Sequence, residues 1–507
     1  MGHLTAAPAA LPEGYPPVTD RTSTRFAGAS AEALRNAGAY LAEFNAPALR
    51  LGVTGLSRAG KTVFIAALVQ NLIEGGRLPF FKPYAEGRIT RAYLEPQPDD
   101  AIPRFDIEAH LACLTAASPA WPDSTSRISQ LRVTLEFTPT ARVRQMMGRL
   151  FGQQKLHIDI VDYPGEWLLD LALLDQSYAA WSSEAIARAR QPHRATAAAA
   201  WLARLSALAP DGAADEAIAR AAAVEFTTYL QAARGGGVVA TLGPGRFLLP
   251  GDLAGSPLLT FVPLDLPSDP QIARTSLAGM MERRFESYKR EVVRPFFARH
   301  FGRLDRQIVL VDALAAIDAG PAAIEDLTAA LTAAFNAFRP GANALTSRIF
   351  APRIDRILFA ATKADHLPRS SHDRLEAALA LVTERAIARA RFAGAEVKTL
   401  ALAALRATRE AEVRQGSDLL PCIAGIPLPG ERIDGRVFDG KQEAVIFPGD
   451  LPDDPAAALL HGRGADVRNV KFRPPRIAAA GTQIETPAWP HIRLDRALDF
   501  LIGDRLA

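Results

Sequence analysis

Apolar residues in this chain fall into short runs that end abruptly in polar or glycine-bearing motifs, separated by longer stretches of helical spacing. Leu49, Leu51 and Val53 read as a strand, and Val63, Phe64, Ile65, Ala66, Ala67 and Leu68 as the start of a buried helix. Residues 131–137 alternate as Leu-Arg-Val-Thr-Leu-Glu-Phe, and 156–161 are largely apolar up to Asp162, which predicts an antiparallel pair. Runs at 307–312, 354–361 and 397–402 predict three more strands, and residues 31–44 and 371–391 carry helical spacing. Residues 77–122 are interrupted by Pro79, Pro83, Pro96, Pro98 and Pro103, which predicts an extended lid or switch segment.

Between the first strand and its helix stands Gly55-Leu-Ser-Arg-Ala-Gly-Lys-Thr62, a G-x-x-x-x-G-K-[ST] loop. Gly55 and Gly60 let the backbone from Ser57 through Val63, including Arg58 and Ala59, curl its N–H groups around a phosphate. Lys61 brings a point charge to the β/γ oxygens, and Thr62 offers a hydroxyl to Mg²⁺ at the positive end of the helix. The strand ending at Asp162 continues Tyr-Pro-Gly165, a D-x-x-G. A carboxylate at a strand end can hold a magnesium-bound water, and the Gly165 amide can face a γ-phosphate. Asp312 ends a rival apolar strand without the glycine and reads as a strand-end polar residue.

The strand at 354–361 runs into Thr362-Lys363-Ala364-Asp365, an [NT]-K-x-D pattern. A carboxylate there accepts both N1–H and N2–H of guanine, hydrogens that adenine does not offer, while the Lys363 stem can lie on the purine face. The bland alternative is that Asp365 caps the next helix. After the strand at 397–402, backbone amides at Ala403 and Ala404 are placed to reach the guanine carbonyl oxygen. Together these pieces predict an α/β P-loop NTPase fold, a mixed sheet with one antiparallel strand, holding GTP/GDP and Mg²⁺.

Composition changes this picture little. At 507 residues and 49% hydrophobic content there is material for a nucleotide domain plus further units. A net charge of +3 gives no polycation to argue for nucleic acid. Cys113 and Cys422 lack paired spacing, which suits a reducing compartment and offers no zinc site. With no signal-like N-terminal pattern and no apolar run of about 18 residues or more, a cytoplasmic location is expected. H-E-x-x-H, C-x-x-C and G-x-S-x-G are absent.

In this order the motifs resemble the YcjX-like family of P-loop GTPases, bacterial stress-associated proteins. The resemblance rests on the Gly55–Thr62 loop, on Val161-Asp-Tyr-Pro-Gly-Glu-Trp-Leu-Leu-Asp170, on Ala360-Ala-Thr-Lys-Ala-Asp-His366 and on the terminal Ile492-Arg-Leu-Asp-Arg-Ala-Leu-Asp-Phe-Leu-Ile502. It implies a Ras-like core with a helical insertion and GTP/GDP binding. It also implies a link to envelope or heat stress through a membrane-protein partner, which would bring the protein to the inner-membrane surface.

In Ras-like proteins a glutamine directly after D-x-x-G orients the attacking water; here Glu166 stands in that place, and a carboxylate facing an anionic phosphate predicts slow turnover. Arg58 is the compensating candidate. The loop resembles the Gly-x-x-Arg-x-Gly-Lys-Ser form of guanylate-binding and atlastin-like GTPases, in which that arginine folds over the phosphates once a nucleotide-dependent dimer orders the loop. The alternative is a surface arginine pairing with a nearby carboxylate. The switch residue that senses Mg²⁺ is assigned to Thr125, with Ser124 and Ser126 open as alternatives.

The organisation expected is an N-terminal tail and helix (1–47), a first segment of the GTPase core (48–165), a mainly helical insertion (166–305), a second core segment (306–405), a loop- and β-rich insertion (406–490) and a C-terminal helix (491–507). Glycines at 235–237, 243 and 245 predict a hairpin-like stretch to residue 261, and 277–301 reads as one amphipathic helix with a solvated basic face. The 406–490 insertion offers no pattern suggesting chemistry. Two other functions keep the loop: an ATP-using enzyme with Asp365 as a cap, and a nucleotide-bound scaffold without significant hydrolysis.

Overall fold

The computed structural model describes residues 47–56, 58–123, 127–141, 154–235, 241–267, 269–336, 354–433, 435–456, 459, 467–477 and 489–507. The helix expected at 31–44, Ser57 and the whole of 124–126 lie outside the described residues. Seven strands, β1 (Ala48–Gly55), β2 (Ile89–Glu95), β3 (Ser129–Phe137), β4 (Gln154–Asp162), β5 (Arg306–Val311), β6 (Arg356–Ala361) and β7 (Glu396–Ala401), form one sheet in the order β2-β3-β4-β1-β5-β6-β7. β1 pairs in parallel with β4 and β5, and β6 joins β5 to β7 in the same direction. β3 opposes both β2 and β4, so it is the one strand running against the rest, as the Ras-like mixed sheet requires.

The main helices are α1 (Lys61–Ile73), α2 (Ile107–Thr115), α3 (Tyr178–Ala189), α4 (Ala195–Ser206), α5 (Glu216–Gly235), α6 (Leu277–Tyr288), α7 (Ala313–Ala319), α8 (Pro321–Asn336), α9 (His372–Val382), α10 (Glu384–Phe392) and α11 (Leu494–Ile502). They cover both faces of the sheet. Ile308 and Leu310 of β5 pack with α1, α2 and α11, while Val309 and Val311 pack with α7 to α10 and the insertion. This two-sided burial is why the parallel strands read as nearly continuous apolar runs. After the second core segment, β8 (Arg409–Gln415), β9 (Asp418–Gly425) and β12 (Ala444–Ile446) form a small antiparallel sheet, with β10 (Arg432–Ile433) and β11 (Arg436–Val437) as a separate hairpin.

Several expectations need correction. Residues 77–122 are not simply a loop: they supply edge strand β2 and helix α2, because the prolines bracket these elements rather than interrupt them. The stretch to residue 261 makes helical turns at Gly245–Leu248, Gly251–Leu253 and Pro257–Leu259 in place of a hairpin. Pro244, Pro250 and Pro257 lack the N–H groups a strand ladder needs, and their fixed φ suits the start of a turn. The helix at 277–301 is broken by a π turn at Lys289–Val293 next to Pro295, whose missing N–H opens the hydrogen-bond ladder. Residues 371–391 divide into α9 and α10 at Thr383, and α11 ends at Ile502 in a 3₁₀ turn.

The insertion is held by aromatic packing: Trp181 stacks on Phe285 at 5.1 Å between ring centres, and Phe261 and Phe226 meet Trp181 edge-on. Close to the sheet, Asp170 is fully enclosed and accepts hydrogen bonds from the Gly245 N–H and the Tyr288 hydroxyl, both at 2.6 Å. Burial pushes its carboxyl up to about 6 despite those donors and nearby Arg246. The protonated form is therefore favoured by folding. This contribution is complete below the ordinary value of 3.8 and is lost as pH rises through about 6. Asp170→Asn should remove the effect. In chemical denaturation, wild type should lose roughly 2–3 kcal/mol relative to the variant between pH 3.5 and pH 7.

Candidate functional site

Because β1, β4, β5, β6 and β7 share one direction, their carboxyl ends lie on one edge of the sheet. Register places Val53 beside Asp162, Gly55 beside Leu310, and Val311, Ala361 and Ala401 side by side. Motifs more than a hundred residues apart therefore leave the sheet together. Arg58, Ala59, Gly60, Lys61, Thr62, Val63, Thr362, Lys363, Asp365, Ala403 and Ala404 all line one cleft of about 280 Å³.

The phosphate loop turns through Gly60, whose φ of 86° is left-handed and favours glycine, into the first turn of α1. Lys61 is buried and its Nζ donates to the Gly55 carbonyl at 2.9 Å. Thr62 is buried in the same turn, and its hydroxyl lies 3.5 Å from the Asp123 carbonyl. The 121–123 segment thus sits directly over Thr62. The Thr125 assignment itself falls outside the described residues. Arg58 is exposed, has a left-handed φ of 65°, and among the described residues makes no hydrogen bond or ion pair.

Gly165 abuts this loop. A β-carbon at that position would lie 1.9 Å from the Gly55 carbonyl oxygen, so only glycine allows the D-x-x-G turn to touch the phosphate loop. Asp162, 1% exposed, ends β4 beside β1. The all-oxygen set of Thr62 hydroxyl and Asp162 carboxylate suits a small hard cation such as Mg²⁺, which takes one or two protein oxygens plus substrate phosphates. Among the described residues no cluster of three His, Cys, Asp or Glu side chains forms a metal cage of its own.

On the base side, Asp365 is 3% exposed, and its carboxylate accepts from the Ala407 N–H at 2.7 Å, not from the helix that follows, which begins at His372. The Thr408 hydroxyl donates to the Asp365 carbonyl. Lys363 has a left-handed φ of 59° and pairs with Asp312, which also caps α7 through the Ala315 N–H at 3.2 Å. Asp312 is therefore more than a strand-end residue. Ala403 needs correction as an amide donor: its N–H is taken by the Ile492 carbonyl at 3.1 Å. Ala404 is left as the candidate.

The 406–490 insertion, read as free of chemistry, contributes Leu428, Lys471 and Phe472 to the cleft wall. The Trp121 indole N–H donates to the Phe472 carbonyl at 2.7 Å, and the Phe472 ring packs edge-on against His366 at 5.3 Å. The basic-aromatic pair Lys471-Phe472 was the available signal, but its place is set by long-range bonds to 426–428, which leave no periodic mark.

Glu166 is 5% exposed and pairs with Arg234 of the insertion at 2.6 Å. Its neighbours are anchored in the same unit. Tyr163 packs edge-on against Phe301 at 4.9 Å, Trp167 against Phe296 at 5.7 Å, and Arg246 lies over the Trp167 ring at 3.3 Å. Every residue of Tyr-Pro-Gly-Glu-Trp except the proline thus touches either the phosphate loop or the insertion through its own position.

A family model described as YcjX-like matches residues 49–506. The chain belongs to the YcjX-like family. Two curated YcjX-like relatives carry the name Ras-like GTPase YcjX. The protein of Escherichia coli (strain K12) is 37% identical over 468 residues, 90% of this chain and 96% of its own length. That of Shewanella oneidensis is 34% identical over 483 residues, covering 90% and 94%. Among the described residues of this YcjX-like chain, no helix is long and apolar enough to cross a membrane.

Gly165→Ala should force the D-x-x-G turn off the phosphate loop. Calorimetry with GDP and GTP should show affinity falling by about tenfold or more, while thermal melting stays cooperative; unchanged affinity would mean that the two loops need not touch.

Proposed function

We propose that this chain is a Mg²⁺-dependent GTP-binding protein that hydrolyses GTP slowly and works as a nucleotide-state switch. The observation that carries the reading is the shared cleft, with Lys61 and Thr62 at one end and the buried carboxylate of Asp365 at the other. The names of its relatives support the same activity. In this reading the amides of Ser57, Arg58, Ala59, Gly60 and Val63 cradle the phosphates, and Lys61 neutralises the β/γ oxygens. Asp365 accepts the guanine N1–H and N2–H, held in place by Ala407, while Lys363 lies on the ring face and the Ala404 amide meets the carbonyl oxygen. Thr62, Thr125 and the water shell held by Asp162 would bind the metal, which when present offsets charge on the β- and γ-phosphates.

The position of Asp365 favours this over an ATP-using enzyme, since its carboxylate turns to Ala407 rather than capping a helix. Exposed Arg58 fits an internal finger ordered in a nucleotide-dependent dimer. A role in the stress response, a membrane-protein partner and a peripheral place at the inner membrane rest on the family resemblance alone, and the cytoplasmic location on the sequence reading.

Lys61→Ala should abolish hydrolysis in a phosphate-release assay, and Arg58→Ala should lower the rate at unchanged GDP affinity; an Arg58→Ala rate equal to wild type removes the finger role. Asp365→Asn should weaken guanine nucleotides by about 100-fold, from the loss of charge-assisted hydrogen bonds, and raise affinity for xanthine nucleotides. Calorimetry that finds ATP bound as tightly as GTP would overturn the guanine reading.

A further inference from the structure

The residue after Gly165 poses an electrostatic problem that its surroundings answer. Glu166 is buried, and with Leu56, Arg58 and Ala59 of the phosphate loop it lines a second cavity of about 310 Å³ that shares Arg58, Ala59 and Lys363 with the cleft. A single carboxylate there would repel the γ-phosphate and the negative charge spread over it during transfer. The Arg234 Nη2, from the last turn of α5, lies 2.6 Å from Glu166 Oε1 and lines the same cavity. We propose that Arg234 is a positioning residue for GTP hydrolysis, pairing with Glu166 so that an anion beside the γ-phosphate becomes a neutral pair that orients the attacking water.

The pair reproduces what a glutamine amide supplies. Oε2 accepts a hydrogen bond from water, and the guanidinium keeps N–H donors on the same side. In the reaction it serves, the water oxygen bonds to the γ-phosphorus and the bond to the β–γ bridging oxygen breaks. GDP leaves with that electron pair, and the water proton ends on the released phosphate. The inference rests on the GTPase reading given above.

The surroundings fix the Glu166 end of the pair. Gly245 packs so closely that a β-carbon there would stand 2.1 Å from the Glu166 carbonyl oxygen, and Asp170, four residues on, holds the Gly245 N–H. Trp167 is pinned by Arg246 and Phe296. Glu166 therefore sits on backbone clamped by the insertion, and its charge partner comes from the insertion as well. Hydrolysis is tied in this way to the seating of α5 through the Glu166 carboxylate, whereas nucleotide binding draws on the loop, the Gly165 contact and Asp365.

The test uses the full chain: single-turnover GTP hydrolysis and GDP and GTP affinity for wild type, Arg234→Ala, Arg234→Lys, Glu166→Gln and Glu166→Gln/Arg234→Ala. Arg234→Ala should slow the chemical step by about tenfold or more with affinities changed less than about threefold, and Arg234→Lys should recover much of the rate. In the Glu166→Gln background, removal of Arg234 should change the rate by less than about twofold, because a neutral amide leaves no charge to cancel. An unchanged rate in Arg234→Ala, or the same loss in both backgrounds, as a purely structural arginine would give, overturns the proposal. Wild-type protein that binds no guanine nucleotide would overturn the GTPase reading itself, and this inference with it.

Discussion

The contact between Gly165 and the Gly55 carbonyl is the constraint on which the arrangement depends. It exists because β4 lies directly beside β1 in parallel, with Asp162 in register with Val53. Parallel pairing sends both strands out at the same edge, so the two loops that follow must share one small volume. Neither has room for a side chain at the point of contact. Placing β3 antiparallel on the far side of β4 leaves this edge undisturbed, and the crossovers to β5, β6 and β7 bring the later motifs to it.

The helical insertion is joined to this contact and is not merely appended to it. Tyr163 and Trp167, on either side of Gly165, bury their rings among Phe296 and Phe301, and Glu166 finds its cation on α5. Each buried aromatic ring of this kind removes about 150–250 Å² from water, so these anchors hold the D-x-x-G turn firmly to the insertion. Displacing the turn from the phosphate loop requires either moving the insertion or exposing two large rings. The Tyr-Pro-Gly-Glu-Trp sequence is specific for this reason: it encodes attachments in two directions, one to the loop through glycine and one to the insertion through the side chains around it.

Legibility in the sequence followed burial. β5, β6 and the apolar stretch of β1 stood out because strands covered on both faces are apolar along most of their length and stop at a polar motif, while β4 and β7 kept enough apolar positions beside His157, Asp159 and Lys398 to read as strands. β2 did not, since an edge strand such as Ile89–Glu95 is half exposed along its length and lies between proline-rich segments. The turns at 245–259 were mistaken for a hairpin because glycine marks a change of direction without specifying its kind, and the prolines decided it. The phosphate loop and the 362–365 motif were readable as local patterns, each complete within eight residues. Arg234, Leu428, Lys471 and Phe472 were not, because what brings them to the site is tertiary pairing with residues tens of positions away or more.

The two ends of the cleft are tied together by the segment that sequence patterns passed over. Trp121 begins the stretch whose Asp123 carbonyl lies over Thr62, and its indole N–H is bonded to the Phe472 carbonyl. Phe472 in turn packs on His366, next to Asp365, whose carboxylate is aimed by Ala407 at the start of the same insertion. A continuous path of packed and hydrogen-bonded groups therefore joins the phosphate side to the base side without passing through the sheet. The part-buried indole bond costs free energy to leave unmade, so lifting the 121–123 segment from Thr62 requires Phe472 to follow or both groups to find other partners. The 406–490 insertion is in this sense a wall of the cleft: the pairing of 471–473 with 426–428 braces it internally, and the Trp121, Ser118 and Asp365 hydrogen bonds hold it against the rest of the molecule.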